Sequence, residues 1–345
     1  MVKAVKAVIV FGTQAELTKI AAFVKGGISE LEVLPLWTQQ HVDLVPMAAI
    51  DLELEEILSF TSDSVDWQSI ALRLREESPD LVVVQGDTRS ALNGAFAASK
   101  LKIPVMHLEA GLRLSTELEP EERARRRITR LSAYHVVTSR KSKDNLIEEG
   151  VSQDNIIQIP HLAELYLSYL YSLDKGSLEE GMFDEPYIVV TMHRTTNLDL
   201  VIECADSLSR LGSILDGIQM VFVKRPDPRW NDLYNSLKKT ENVLLSQTLI
   251  PSSFNRLIRG SIGVLTDSAG VQQECAILGI PHVVLRAESE YVDCAPHVEC
   301  RDSQRLIKEL NKMLTIESHS FKGVASIDWA STVGAVWQRV VKWLN

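Results

Sequence analysis

Nothing in this chain stays apolar for the ~20 consecutive residues that a membrane-crossing helix requires, so no membrane span is expected. Cysteine is scarce. Cys204, Cys275, Cys294 and Cys300 are scattered without metal-type spacing, which fits reduced cytoplasmic thiols and no metal centre. Positive charge is in the minority, 36 Lys and Arg against 46 Asp and Glu, and the formal net charge of -10 argues against a general nucleic-acid binder. Internal repeats and low-complexity stretches are also missing. Met1-Val2-Lys3-Ala4-Val5-Lys6 runs into a strand-like segment with no signal-peptide cleavage pattern. What remains is an ordinary globular composition, 45% hydrophobic and 24% charged, in a chain whose 345 residues are long for one core. A cytoplasmic two-domain enzyme acting on a small molecule fits these bounds.

The first half alternates strand and helix signals. Valine-rich Val5 to Phe11 ends at Gly12-Thr13 and is followed by helix-forming Ala15 to Val24. Further strands are expected at Glu32 to Trp37, Leu81 to Gln85, Val105 to Leu108, Tyr134 to Thr138 and Ile156 to Ile159, with an alanine-rich helix over Ala91 to Lys100. Such alternation predicts a parallel sheet with helices on both faces. From Ser172 to Pro186 the pattern breaks into linker-like Asp, Gly, Ser, Glu and Pro. It restarts with strands at Tyr187 to Thr191, Met220 to Val223, Val243 to Leu245, Ile262 to Thr266 and His282 to Leu285. The expected architecture is α/β: two Rossmann-like domains, 1–172 and 173–325, with parallel sheets facing across a cleft. A final helix over 326–345, about Trp329 to Leu344, is expected to pack back on the first domain.

Two apolar runs stop abruptly at a small residue beside a carboxylate: Leu81 to Gly86-Asp87-Thr88, and Val105 to Glu109-Ala110-Gly111. Buried parallel strands read this way, and ligands of open α/β sheets sit beyond the strands' carboxyl ends. Asp87 and Glu109 are therefore expected at one crevice, with Glu121-Glu122 one short loop later, an arrangement suited to proton transfer. Gly12-Thr13-Gln14 lies where backbone amides can meet an anion, although a plain strand-to-helix turn accounts for it equally. Asp267-Ser268-Ala269-Gly270 repeats that arrangement in the second half, and Glu274, one helical turn in, could reach a ribose diol. His193-Arg194 closes a strand and suits phosphate binding or proton transfer. His107, inside an apolar run, reads as buried packing. Of the five arginines between Glu121 and Arg130, most are expected on a solvated face, with one turning inward to neutralise a diphosphate. Phe254 could stack on a base or occupy a core position.

Taken in order, these segments resemble the non-hydrolysing UDP-N-acetylglucosamine 2-epimerases, which share the GT-B glycosyltransferase-like fold. The similar stretches are Gly12-Thr13, Thr38-Gln39-Gln40-His41, Gly86-Asp87-Thr88, His107-Leu108-Glu109-Ala110-Gly111-Leu112-Arg113, Pro120-Glu121-Glu122, His193-Arg194, and Leu265 to Glu274. The resemblance implies Asp87, Glu109 and Glu121 as catalytic carboxylates and His193 as a catalytic, diphosphate-side histidine. It implies Lys19, Arg113 and Arg125 as substrate-binding cations. Ser268, Ala269 and Gly270 match phosphate positions, Glu274 the ribose position and Phe254 the base side. The implied reaction removes the C2 proton as UDP leaves by anti-elimination, then re-adds UDP to a 2-acetamidoglucal with the proton on the opposite face. No cofactor is implied. The implied partners are a UDP-sugar and, in a homodimer, a second copy of the chain.

This sequence departs from the family pattern on the cationic side. Gln14 and Ala15 follow Gly-Thr where the family has arginine and proline, and Ala124 replaces an asparagine. Val223-Lys224-Arg225-Pro226 stands where a strand usually ends in histidine, so Lys224 and Arg225 are candidate compensating cations. Ser289-Glu290-Tyr291 and Cys294-Ala295-Pro296 also differ. These changes imply a divergent member using UDP-N-acetylglucosamine or a modified UDP-sugar. A hydrolysing 2-epimerase that releases UDP and free sugar is the nearest alternative. A GT-B glycosyltransferase and a non-catalytic nucleotide-sugar sensor are compatible with the same fold.

Overall fold

The computed structural model describes residues 4–40, 44–60, 66–114, 119–173, 183, 185–192, 217–225, 228–285, 303–314 and 327–345. The expected linker therefore lies mostly outside the described residues, as do His193-Arg194 and the departures at 289–291 and 294–296. The chain divides into two compact units, Met1–Leu170 with Ser326–Asn345, and Tyr171–Ala325.

The first unit runs β1 (Val5–Phe11), α1 (Gln14–Lys25), β2 (Leu31–Trp37), α2 (Val45–Asp51), β3 (Leu58–Ser59), α3 (Trp67–Glu77) and β4 (Leu81–Gln85). It continues with α4 (Arg89–Leu101), β5 (Val105–Leu108), α5 (Pro120–Leu131), β6 (Tyr134–Val137), α6 (Arg140–Glu148), β7 (Ile156–Gln158) and α7 (Leu162–Ser172). Its strands form one sheet in the order β3-β2-β1-β4-β5-β6-β7, and every pairing is parallel. Ala7 to Phe11 and Leu81 to Val84 are wholly buried, as central strands covered on both faces must be. The core on one face joins Val8, Val10, Val82 and Val84 to Ile70, Leu74, Ala91, Ala95 and Ala98. Small residues let α4 lie close to the sheet: a Cβ on Gly94 would stand 3.0 Å from Val10. The two-residue edge strand β3 has too little apolar sequence to be foreseen, and pairs only through Leu36–Leu58 and Trp37–Ser59.

The second unit runs β8 (Tyr187–Thr191), β9 (Gln219–Val223), α8 (Asn231–Leu237), β10 (Val243–Ser246), α9 (Pro251–Gly260), β11 (Gly263–Thr266), α10 (Ala269–Leu278), β12 (His282–Val284) and α11 (Ser303–Leu314). Its parallel sheet has the order β10-β9-β8-β11-β12. Ile188, Val190, Met220, Phe222 and Leu265 pack there against Trp230, Leu233, Leu306 and Leu310. The final helix α12 (Trp329–Leu344) belongs to the first unit, where Trp337 Nε1 donates to Phe23 O at 3.1 Å and Trp343 stacks on Tyr134. Among the described residues no helix is long and apolar enough to cross a membrane.

Each sheet reverses its strand order beside a central strand, between β1 and β4 in one unit and between β8 and β11 in the other. At such a switch point the flanking connections leave toward opposite faces and open a crevice beyond the carboxyl ends.

Candidate functional site

In the first unit, the turn after β4 begins at Gly86, whose φ of +68° suits glycine. Its carbonyl accepts from His107 Nε2 at 2.8 Å. A carbonyl cannot donate, so the ring carries its proton on Nε2. Burial drives the pKa of His107 down to about 3, which keeps it neutral, the packing role expected of it. Asp87 follows on the turn and pairs with the Arg125 guanidinium. Thr88 then caps α4, its hydroxyl accepting from Ala91 N at 3.0 Å.

Glu109, at the end of the neighbouring strand, is nearly buried, and its φ of +61° is left-handed, an uncommon conformation for a residue with a side chain. Its Oε2 accepts from Lys19 Nζ and from Gln85 Nε2, each at 2.7 Å. His161 shares this neighbourhood: burial lowers its pKa, while the Glu109 and Glu164 charges pull it up. The structure thus brings together Asp87 with Arg125, and Glu109 with Lys19, at the ends of adjacent strands. Sequence context gave His161 little weight and left Gln85 unmarked, because neither residue type is distinctive in a loop or at a strand end.

On α5, Glu121 is half-exposed while Glu122 is fully buried. Glu122 accepts from Leu114 N at 3.1 Å and pairs with Arg126 at 3.0 Å and Arg125 at 3.4 Å. Arg125 is the inward arginine; Arg123, Arg127 and Arg130 are exposed, as a solvated face requires. Arg113, expected as a substrate ligand, has its guanidinium engaged by both Glu149 oxygens at 2.7 Å, by Thr129 Oγ1 at 3.1 Å and by Leu112 O at 2.6 Å. The Arg113 hydrogen bonds hold the Glu149 carboxyl below its usual pKa.

The turn after β1 differs from expectation in one respect. Its Gly12 and Thr13 amides do meet an anion, but the anion is the chain's own Glu16. Glu16 Oε2 accepts from Gly12 N at 3.0 Å, Thr13 N at 3.0 Å and Thr13 Oγ1 at 2.9 Å, and Oε1 accepts from Thr88 Oγ1 at 2.6 Å. Thr13 and Glu16 complete a capping box at the start of α1. Burial pushes the Glu16 pKa up to about 7 against the pull of four donors. The signal for this residue was present as threonine followed three positions later by glutamate.

In the second unit, β11 ends at buried Thr266, buried Asp267 follows, and Ser268 caps α10, accepting from Val271 N at 3.4 Å. Ser268 N donates to Thr266 Oγ1 at 3.0 Å, which shapes the turn. Ser268, Ala269, Gly270 and Glu274 are all half-buried. A Cβ added to Gly270 would meet only Ser268 Oγ, at 3.7 Å, so packing does not demand glycine there. Phe254 is half-buried on α9. Lys224 and Arg225 follow the carboxyl end of β9, with their backbones held by Ser246, Thr248 and Tyr234.

A family model described as UDP-N-acetylglucosamine 2-epimerase matches residues 55–344. A Methanocaldococcus jannaschii protein named UDP-N-acetylglucosamine 2-epimerase is 31% identical over 264 residues, which covers 70% of each chain. The S. aureus MnaA–UDP co-structure superposes with a TM-score of 0.87 at 21% identity, covering 99% of this chain and 97% of that one. A Neisseria meningitidis UDP-GlcNAc 2-epimerase solved with UDP-GlcNAc gives a TM-score of 0.81 at 23% identity, covering 98% and 99%. Those two likenesses speak for the fold, and the GT-B-like α/β class holds. The family model, running through both parallel-sheet units, carries the stronger statement: this chain belongs to the UDP-N-acetylglucosamine 2-epimerase family.

Proposed function

We propose that the protein interconverts UDP-N-acetylglucosamine, or a closely related UDP-sugar, with its C2 epimer without net hydrolysis. The observation that carries this reading is the pair of carboxylates at adjacent strand ends, Asp87 beside Arg125 and Glu109 beside Lys19. The C2–H of the sugar is weakly acidic and needs a positioned base. As one carboxylate takes that proton, the C–H electron pair forms the C1–C2 double bond. The C1–O bond breaks with its electrons on the UDP oxygen. Return of UDP to C1, with a proton delivered to the opposite face of C2, yields the epimer. Glu121, half-exposed on α5, is the third carboxylate of the reading, and His193 is assigned to the diphosphate side. Lys19 and Arg125 supply charge for the departing diphosphate. The nucleotide is assigned to the second unit: phosphates at the Ser268-Ala269-Gly270 turn, ribose at Glu274, base at Phe254. Open space at Gly270 and the capped N-terminus of α10 support that assignment. The working assembly is a homodimer in the cytoplasm, and Arg113 acts through the α5–α6 network.

Incubation with UDP-N-acetylglucosamine in deuterated water should place deuterium at C2 of both epimers, and the Asp87→Asn change should slow this by about 10²–10⁴-fold. Absence of exchange with a panel of UDP-sugars refutes the reading. A hydrolysing variant of the same elimination is favoured by one observation: Gln14 opens α1 where the family carries arginine. Losing a charged hydrogen bond to the diphosphate removes about 1.5–3 kcal/mol of its hold. Free UDP accumulating in step with turnover identifies that variant.

A further inference from the structure

The elimination and re-addition make no use of the buried carboxylate of Glu16, which stands beside the turn that carries Asp87. We propose that Glu16 is a positioning residue: its carboxylate ties the turn after β1 to the turn after β4 and thereby sets where Asp87 stands.

At the switch point, β1 and β4 are paired up to Val10–Val84, and beyond that register the two turns have no ladder to hold them together. Their helices go separate ways, α1 packing beside α2 and α12, and α4 beside α3 and α5. Glu16 spans the gap that this leaves. One oxygen takes both amides and the hydroxyl of Gly12-Thr13, and the other takes the hydroxyl of Thr88. Thr88 has a single hydroxyl proton, which it donates to Glu16 at 2.6 Å while accepting from Ala91 N at 3.0 Å, so its rotor is fixed. Asp87 is then held on both sides along the backbone. His107 grips the carbonyl of Gly86 before it, and Glu16 grips Thr88 after it. The same contacts show that the Gly12 and Thr13 amides are already taken by a protein carboxylate, so these two amides are not offered to a substrate phosphate.

The catalytic consequence rests on the epimerase reading, and the test separates the two. Glu16→Ala should lower kcat for C2 deuterium exchange by about 10²-fold, the penalty typical of ångström-scale misplacement, with KM little changed. Added formate, small enough to replace the missing carboxylate, should restore part of that loss. Combining Glu16→Ala with Thr88→Ala should cost no more than the larger single loss, because both break one clamp. Hydrogen exchange of the Gly12, Thr13 and Ala91 amides should accelerate in Glu16→Ala and slow again in formate. If Glu16→Ala does not fold, Glu16→Gln serves, since its amide cannot accept all four donors. Unchanged kcat, additive losses, or a loss that formate leaves untouched overturns the clamp. If the wild-type protein shows no C2 exchange, the epimerase reading fails. The amide exchange then decides alone, and protection retained at Gly12, Thr13 and Ala91 refutes the clamp.

Discussion

Gly12 has no room for a side chain. A Cβ there would lie 2.0 Å from Ser90 Oγ and 2.7 Å from Gln40 Cβ. Ser90 cannot easily give way, because its hydroxyl bonds both Thr38 Oγ1, at 2.6 Å, and Gln40 Oε1, at 2.7 Å. Gly12→Ala should therefore destabilise the protein by about 1–3 kcal/mol, the usual cost of overpacking. A lowered urea midpoint with an unchanged slope would register it. A neutral or stabilised variant would contradict the geometry, since an unhindered Gly→Ala gains about 0.4–1 kcal/mol through the unfolded chain. Glu109 shows a different constraint. Its left-handed backbone costs about 1–2 kcal/mol, offset where Lys19 and Gln85 hold the carboxylate. Sequence marked Glu109 as a carboxylate at a strand end but carried no sign of that backbone, which depends on partners far away along the chain.

At the level of elements, β5 and β6 set His107 directly against His135. Burial lowers the pKa of His107 from 6.5 to about 3 and that of His135 from 6.5 to about 4. The unfolded chain binds protons that the folded rings refuse. Stability from this pair is complete above pH 6.5 and is lost as pH falls through 6.5 toward 4 and 3. Glu16 acts oppositely: its folded pKa is raised from 4.5 to about 7, so its contribution is full below 4.5 and lost as pH rises toward 7. Between pH 4.5 and 6.5 these two rings, joined by His161, whose pKa burial also lowers, oppose the Glu16 carboxylate, and the rings prevail. The melting temperature should fall as pH drops across that window, less steeply in His135→Asn. An acid limb that His135→Asn leaves unaltered would rule out this account. Thr88, Ser139 and Ser268 each stand before a helix and accept from its first turn, which fixes where those helices begin.

At the scale of the whole molecule, α12 returns from the far end of the chain to α1. Trp337 is fully buried, meets Phe23 edge-on at 5.8 Å and donates to its carbonyl. Trp337→Ala should cost about 3–5 kcal/mol, by cavity formation and an orphaned carbonyl, and lower the unfolding temperature accordingly. A loss under about 0.5 kcal/mol, within the range of surface substitutions, would mean that the helix contributes little. The apolar pattern of Trp329 to Leu344 announces a docking helix. Its partner face on α1 was not readable, because a stripe of apolar residues specifies burial without specifying against what.

Sequence by itself determined the parallel strands and the strand ends at which the candidate site residues stand. Hydrophobic blocks ending at Gly86-Asp87, Glu109-Ala110 and Asp267-Ser268 are local signals, and parallel pairing within each sheet sends such ends to one side. Tertiary structure alone decided what each charged side chain does there. Glu121 and Glu122 are neighbours in sequence but ~100° apart around a helix, and only packing chose Glu122 for burial. Packing likewise turned Arg125 to Asp87, gave Arg113 to Glu149 and filled the turn after β1 with Glu16. Burial and pairing are properties of neighbours brought together by the fold, and the spacing of residues along a chain does not encode them.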